Sequence, residues 1–92
     1  MTVHKLKLRP RTFRSIKRGV NQIQIADNQT IYAKDNKLRL FSYSPFLHIY
    51  TGRFKTLIII ESMRVKGVDT SGNSIIITAE YKPIINIHYA SI

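Results

Sequence analysis

The sequence predicts a small, mainly β protein of the α+β class: a β-barrel of six to seven short strands with one N-terminal helix. Three observations predict it. Apolar and polar residues alternate with a period of two in one segment after another, the pattern of a half-buried strand. One stretch alone, Leu8 to Gly19, carries apolar residues at helical spacing. Strands so short and numerous would expose many edges, and closure of the sheet removes them.

Val3 to Leu8 alternates, with His4, Leu6 and Leu8 on one face and Lys5 and Lys7 on the other. The helix follows, near residues 10–18. Pro10 suits its first turn, where a missing N–H costs nothing and φ is preset. Gly19 suits its stop, since a left-handed residue without a Cβ is unstrained. Phe13 and Ile16 share the face to be buried, and Arg11, Arg14 and Arg18 lie together on the opposite one. Val20 to Ile25 is a second strand, closed by the turn pair Asp27-Asn28.

Ile31 to Ala33 is short and apolar, and Lys34 to Lys37 reads as a polar turn. Leu38 to Tyr43 alternates again, placing Leu38 and Leu40 opposite Arg39, Phe41 and Tyr43, until Ser44-Pro45 breaks it. Leu47 to Tyr50 is a brief strand or turn before Thr51-Gly52. Phe54 to Glu61 contains the β-branched run Leu57 to Ile60, the signature of a strand buried on both faces. Met63 to Val68 continues it, Asp69 to Asn73 is a hairpin loop, and Ser74 to Tyr81 returns as a strand. Pro83 interrupts, and Ile84 to Tyr89 is a last, weaker strand. With 92 residues and no repeat or linker, residues 1–92 form a single domain.

Charge narrows the function. Fifteen Lys and Arg against five Asp and Glu leave a net charge of +10. Residues 1–26 hold Lys5, Lys7, Arg9, Arg11, Arg14, Lys17 and Arg18, and the first acid is Asp27. So large an imbalance costs self-repulsion and points to an anionic partner: nucleic acid, an anionic membrane or an acidic protein. The competing assignment for the basic helix is a solvated, solubilising face. No apolar run approaches the roughly 18 residues of a membrane span, and the N-terminus lacks a signal peptide's apolar core. Cysteine is absent, which removes disulfides, thiolate metal sites and cysteine nucleophiles. The expectation is a soluble, cytoplasmic protein without a membrane partner.

Catalytic motifs are missing. There is no P-loop, no G-x-S-x-G and no dinucleotide fingerprint. His4, His48 and His88 lie in separate segments without metal-ligand spacing, and no metal or cofactor is expected. Glu61 and Glu80 each stand at a strand end with no partner placed by sequence. A nucleic-acid surface fits better. Arg39, Arg53, Lys55, Arg64 and Lys66 extend the N-terminal patch if their strands face the same way. Tyr32, Phe41, Tyr43 and Tyr50 are candidate stacking platforms for unpaired bases, with barrel core as the competing assignment, favoured for Phe41.

The order strand, helix, glycine, strand, then barrel resembles the ASCH group of PUA-like domains, closest to a small subgroup often carried by bacteriophages. The residues that carry the likeness are His4-Lys5-Leu6-Lys7-Leu8, Phe13, Ile16 and Gly19, then Asn28, Tyr32, Leu38, Leu40, Tyr43 and Pro45, and finally Tyr50-Thr51-Gly52-Arg53. The family's charged signature, G-x-K-x-x-E-x-R, falls here on Gly19, Asn21, Gln24 and Ala26. An Asp-Arg pair is replaced by Gln29 and Thr30, and a Gly-Asp turn by Asp35-Asn36. Some members resemble amidohydrolases of modified nucleosides that use a lysine, a threonine and an acid. Neither Asn21 nor Gln24 transfers protons usefully near neutrality. The resemblance therefore implies the scaffold, and a PUA-like domain's usual partner, RNA, on the first helix and neighbouring strands. The expectation is a non-catalytic RNA-binding domain. The alternatives are a phage-encoded inhibitor of a host defence protein or ribonucleoprotein, of anti-CRISPR type, and an ASCH-type amidohydrolase.

Overall fold

The computed structural model describes residues 2–66 and 72–83. Its elements are β1 (Val3–Leu8), α1 (Pro10–Ser15), β2 (Gly19–Ala26), β3 (Lys37–Ser44), β4 (Ile49–Val65) and β5 (Ser74–Tyr81). The strands form one five-stranded sheet in the order β1-β3-β4-β5-β2. A parallel neighbour cannot be reached by a tight turn. The chain therefore runs through α1 and β2 before β3 returns alongside β1, which it pairs in parallel. The other ladders are antiparallel.

Alternation gives the sheet an inner face. His4, Leu6 and Leu8 stand opposite Leu38, Leu40 and Ser42 across the parallel ladder. Leu38 also pairs with Leu57, and Ile23 with Ile77. Leu38, Leu40, Leu57, Ile59, Ile75 and Ile77 are fully buried, and Phe13 and Ile16 of the helical segment close over them. Burying one such side chain contributes roughly 1.5–3 kcal/mol. Segment 27–36 is sewn down by polar contacts: Asn28 Nδ2 donates to the Tyr32 hydroxyl at 2.7 Å, and Ser62 Oγ to the Tyr32 carbonyl at 2.8 Å. His4 Nε2 bonds the Asn36 side-chain oxygen at 3.1 Å, and the His4 ring packs 4.7 Å from Tyr32.

The helix is shorter than its sequence period predicts. It ends at Ser15, and Ile16 is already extended at φ −72°, ψ 118°. A side chain from the start of β2 stops it. The Asn21 side chain accepts from Lys17 N–H at 3.0 Å and donates to the carbonyls of Lys17 (2.7 Å) and Gly19 (3.0 Å), which holds residues 17–19 as a loop. Arg18 consequently leaves the helix that Arg11 and Arg14 occupy.

The Thr51-Gly52 break is also absent, and Ile49 to Val65 is one 17-residue strand. Gly52, at φ +85°, is absorbed as an irregularity, since the register steps from Phe41↔Phe54 to Tyr43↔Tyr50. Nor is the Leu57–Ile60 run buried on both faces: Leu57 and Ile59 are 0% and 1% exposed, Ile58 and Ile60 39% each. Among the described residues no element covers the outer side of the sheet there. The expected strand Ile84–Tyr89 and most of the Asp69–Asn73 loop lie outside the described residues. Among those described, no helix is long and apolar enough to cross a membrane, and no three metal-ligating side chains come together.

Candidate nucleic-acid interface

Because His4, Leu6, Leu38, Leu40 and Leu57 point inward, their neighbours on the same strands must point outward. The outer face of β1, β3 and the first part of β4 therefore presents Lys5, Lys7, Arg39, Phe41, Tyr43, Phe54 and Thr56. The ladders bring Lys5 beside Arg39, Lys7 beside Phe41, and Phe41 beside Phe54. Cations and rings interleave. Lys7 Nζ lies 4.8 Å from the Tyr43 ring centre, and the Arg39 guanidinium 5.6 Å from that of Phe54. Arg39 Nε donates to Thr56 Oγ1 at 3.3 Å, which fixes its position. The rings form a connected set: Phe41–Tyr50 at 5.9 Å, Phe41–Phe54 at 6.0 Å and Tyr43–Tyr50 at 5.1 Å. Phe54 is 59% exposed, and no carboxylate stands among these outward residues. Cation–π contacts at such exposed sites contribute about 0.5–1 kcal/mol, little enough for a ligand ring or phosphate to displace them.

The remaining expected cations divide among other surfaces. Arg11 and Arg14 are exposed on α1, which packs on the inner face through Phe13 and so does not share a side with Lys5, Lys7 and Arg39. Arg9 precedes that helix, and Lys17 and Arg18 are exposed in the loop after it. Arg53 is exposed at the base of the β3–β4 hairpin. Lys55 points inward: its Nζ donates to the carbonyls of Phe13 and Ile16 at 3.0 Å each. Burial pushes the Lys55 ammonium below its ordinary pKa, and Arg53 adds to the effect. Arg64 is paired with Asp27 at 3.2 Å and also reaches the Thr30 carbonyl at 3.3 Å. Lys66 is exposed just past the end of β4.

The aromatics also sort differently from expectation. Tyr32 is 3% exposed, a core residue and not a stacking platform. Phe41 is the reverse, an outer-face ring and not core. Phe54 is the aromatic that sequence reasoning passed over. Its signal was present, since once Leu57 is inward, Phe54 and Thr56 fall on the outer face unless a bulge intervenes. The positions of the resembled charged signature do not converge either. Asn21 lies on the inner-face register of β2 beside Ala79, whereas Gln24 falls on the opposite face beside Ile76.

A family model for a domain of unknown function, DUF3850, matches residues 3–70. The chain belongs to this family. The DUF3850 region holds β1, α1, β2, β3 and all of β4, and with them the whole outer face just described. It stops short of β5, the strand that supplies every ladder partner of β2 among the described residues. Searches of curated proteins and of solved structures find no match.

Proposed function

We propose that this protein is a non-catalytic nucleic-acid-binding domain whose partner is RNA, and that its sheet is the wall of a PUA-like barrel of the ASCH type. One observation carries the reading: the acid-free outer face of β1, β3 and the first part of β4, where Lys5, Lys7 and Arg39 alternate with Phe41, Tyr43 and Phe54. Cations alone would serve any polyanion. Rings on the same face add what a base offers and a lipid headgroup does not, a π surface to stack upon. The helix arginines Arg11 and Arg14, with Arg18, act as further phosphate contacts on a strand that wraps past the edge of β1. Amides and alanine at Asn21, Gln24 and Ala26 support a binding role over an amidohydrolase one.

The test is a titration of single-stranded RNA at several salt concentrations. Each phosphate contact releases counterions, so log K falls with log salt at about −0.7 per contact. The triple variant Lys5→Ala/Lys7→Ala/Arg39→Ala should lose affinity and about two units of slope. Arg11→Ala/Arg14→Ala/Arg18→Ala should lose slope as well if its residues reach phosphates, without unfolding, since all three are exposed. Equal affinities and slopes for wild type and both variants would make these charges solubilising only.

A specific feature favours the second reading, an inhibitor docked on a host protein or ribonucleoprotein. The β3–β4 hairpin tip exposes Phe46 (94%), Leu47 (67%) and Ile49 (52%), an apolar group suited to a protein pocket. Capture from host lysate with and without ribonuclease separates the two readings.

A further inference from the structure

We infer that the cavity between β1 and the base of the β3–β4 hairpin is a subsite for one unpaired nucleotide, its base on the rings and its phosphate between the two cationic rims. This assignment rests on the nucleic-acid reading and goes beyond it by naming what part of a strand is gripped, and where.

The cavity is built by a backbone irregularity. Between the pairs Phe41↔Phe54 and Tyr43↔Tyr50, Ser42 alone of β3 faces Thr51, Gly52 and Arg53 of β4. Three residues of β4 thus stand against one of β3, and Gly52 among them takes a left-handed φ of +85°. What results is an open hollow of about 680 Å³ bounded by Lys5, Lys7, Phe41, Tyr50, Arg53 and Phe54. That volume is within the roughly 300–1,000 Å³ of small-molecule sites.

The lining selects the ligand. Lys5 and Lys7 stand on one rim and Arg53 on the other, with no carboxylate among the lining residues. An anionic group is therefore favoured at the edges. The floor and wall are rings at different tilts, Phe41 to Phe54 at 39° and Phe41 to Tyr50 at 78°. Such a corner lets a planar ligand stack on one ring while its edge meets another, the two favoured aromatic geometries. A flat ring joined to a phosphate meets both demands. A paired base does not, because both its faces are occupied within the stack. The class is therefore an unpaired nucleotide, in a loop, a bulge or a single-stranded end.

The experiment uses the full chain and a short single-stranded RNA in which each position in turn is made abasic. Affinity should fall about tenfold at one position and much less at the others, the effect expected for loss of one stacked base. In Phe54→Leu and Tyr50→Leu, at exposed positions that leave the fold intact by circular dichroism, that position should become indistinguishable from its neighbours. Tight RNA binding with every abasic position equally tolerated would overturn the subsite and leave the broader reading standing. Failure to bind any RNA would remove both. A position effect that survives unchanged in both variants would place the base elsewhere and overturn the assignment.

Discussion

Lys55 and Phe13, 42 residues apart, meet at both ends of their chemistry: the Lys55 ammonium donates to the Phe13 carbonyl at 3.0 Å and lies 4.5 Å from the Phe13 ring centre. The lysine also reaches the Ile16 carbonyl and stands 5.6 Å from the Tyr81 ring. One side chain of β4 thus binds two carbonyls at the end of α1 and bridges it to β5. A short helix with no side-chain N-cap needs such an anchor, because six residues do not form a stable helix unaided.

Lys55→Met keeps the apolar stem and removes the donor. It should destabilise the protein by about 1–3 kcal/mol, the range for a hydrogen bond to a charged donor set against partial burial. Urea unfolding measures this. An unchanged midpoint would mean that the helix end is held by Phe13 and Ile16 packing alone.

Acid should weaken the molecule through Asp27. Its carboxylate accepts the Gln29 N–H at 2.8 Å and pairs with Arg64 at 3.2 Å, and these hold its pKa below the ordinary 3.8. A folded-state pKa below the unfolded one means that the ionised form is preferred in the fold. The contribution is complete above the unfolded value and is lost as pH falls through the folded one. The thermal midpoint should therefore decline on acidification below about pH 4, and less steeply in Asp27→Asn. Identical acid limbs for the two proteins would exclude the pair as a source of stability.

Gly52→Ala isolates backbone conformation. A Cβ at this position meets nothing within 4 Å, so crowding does not enter. The left-handed φ of +85° remains, at a cost of about 1–2 kcal/mol for a residue with a Cβ. Stability should fall by that amount in urea. A neutral substitution would show that β4 runs through its irregularity without needing glycine.

Much of the fold is legible because period-two alternation is a local property. Val3–Leu8 coincides with β1, and Leu38–Tyr43 and Ser74–Tyr81 fall within one residue of β3 and β5. Phe13 and Ile16 are buried as their spacing demands. The site was legible only in part. Lys5, Lys7, Arg39 and Tyr43 were recognisable as outward residues of alternating strands. That Phe54 joins them, that Lys55 turns inward, and that Arg64 is taken by Asp27 depend on partners 13 or more positions away.

The sequence by itself determined the positions of β1, β3 and β5, the inward face of β1, and the surplus of cations, since each follows from neighbouring residues and their charges. Only the tertiary structure decided where the helix ends, that β4 is continuous, and which cations share a surface with which rings. The physical reason is the same in each case. Lys55 holds the end of the helix from across the sheet, at the carbonyls of Phe13 and Ile16. The parallel pairing of β1 with β3 sets Lys7 beside Phe41. These are contacts between residues that local period cannot relate, and they exist only once the chain has crossed the sheet.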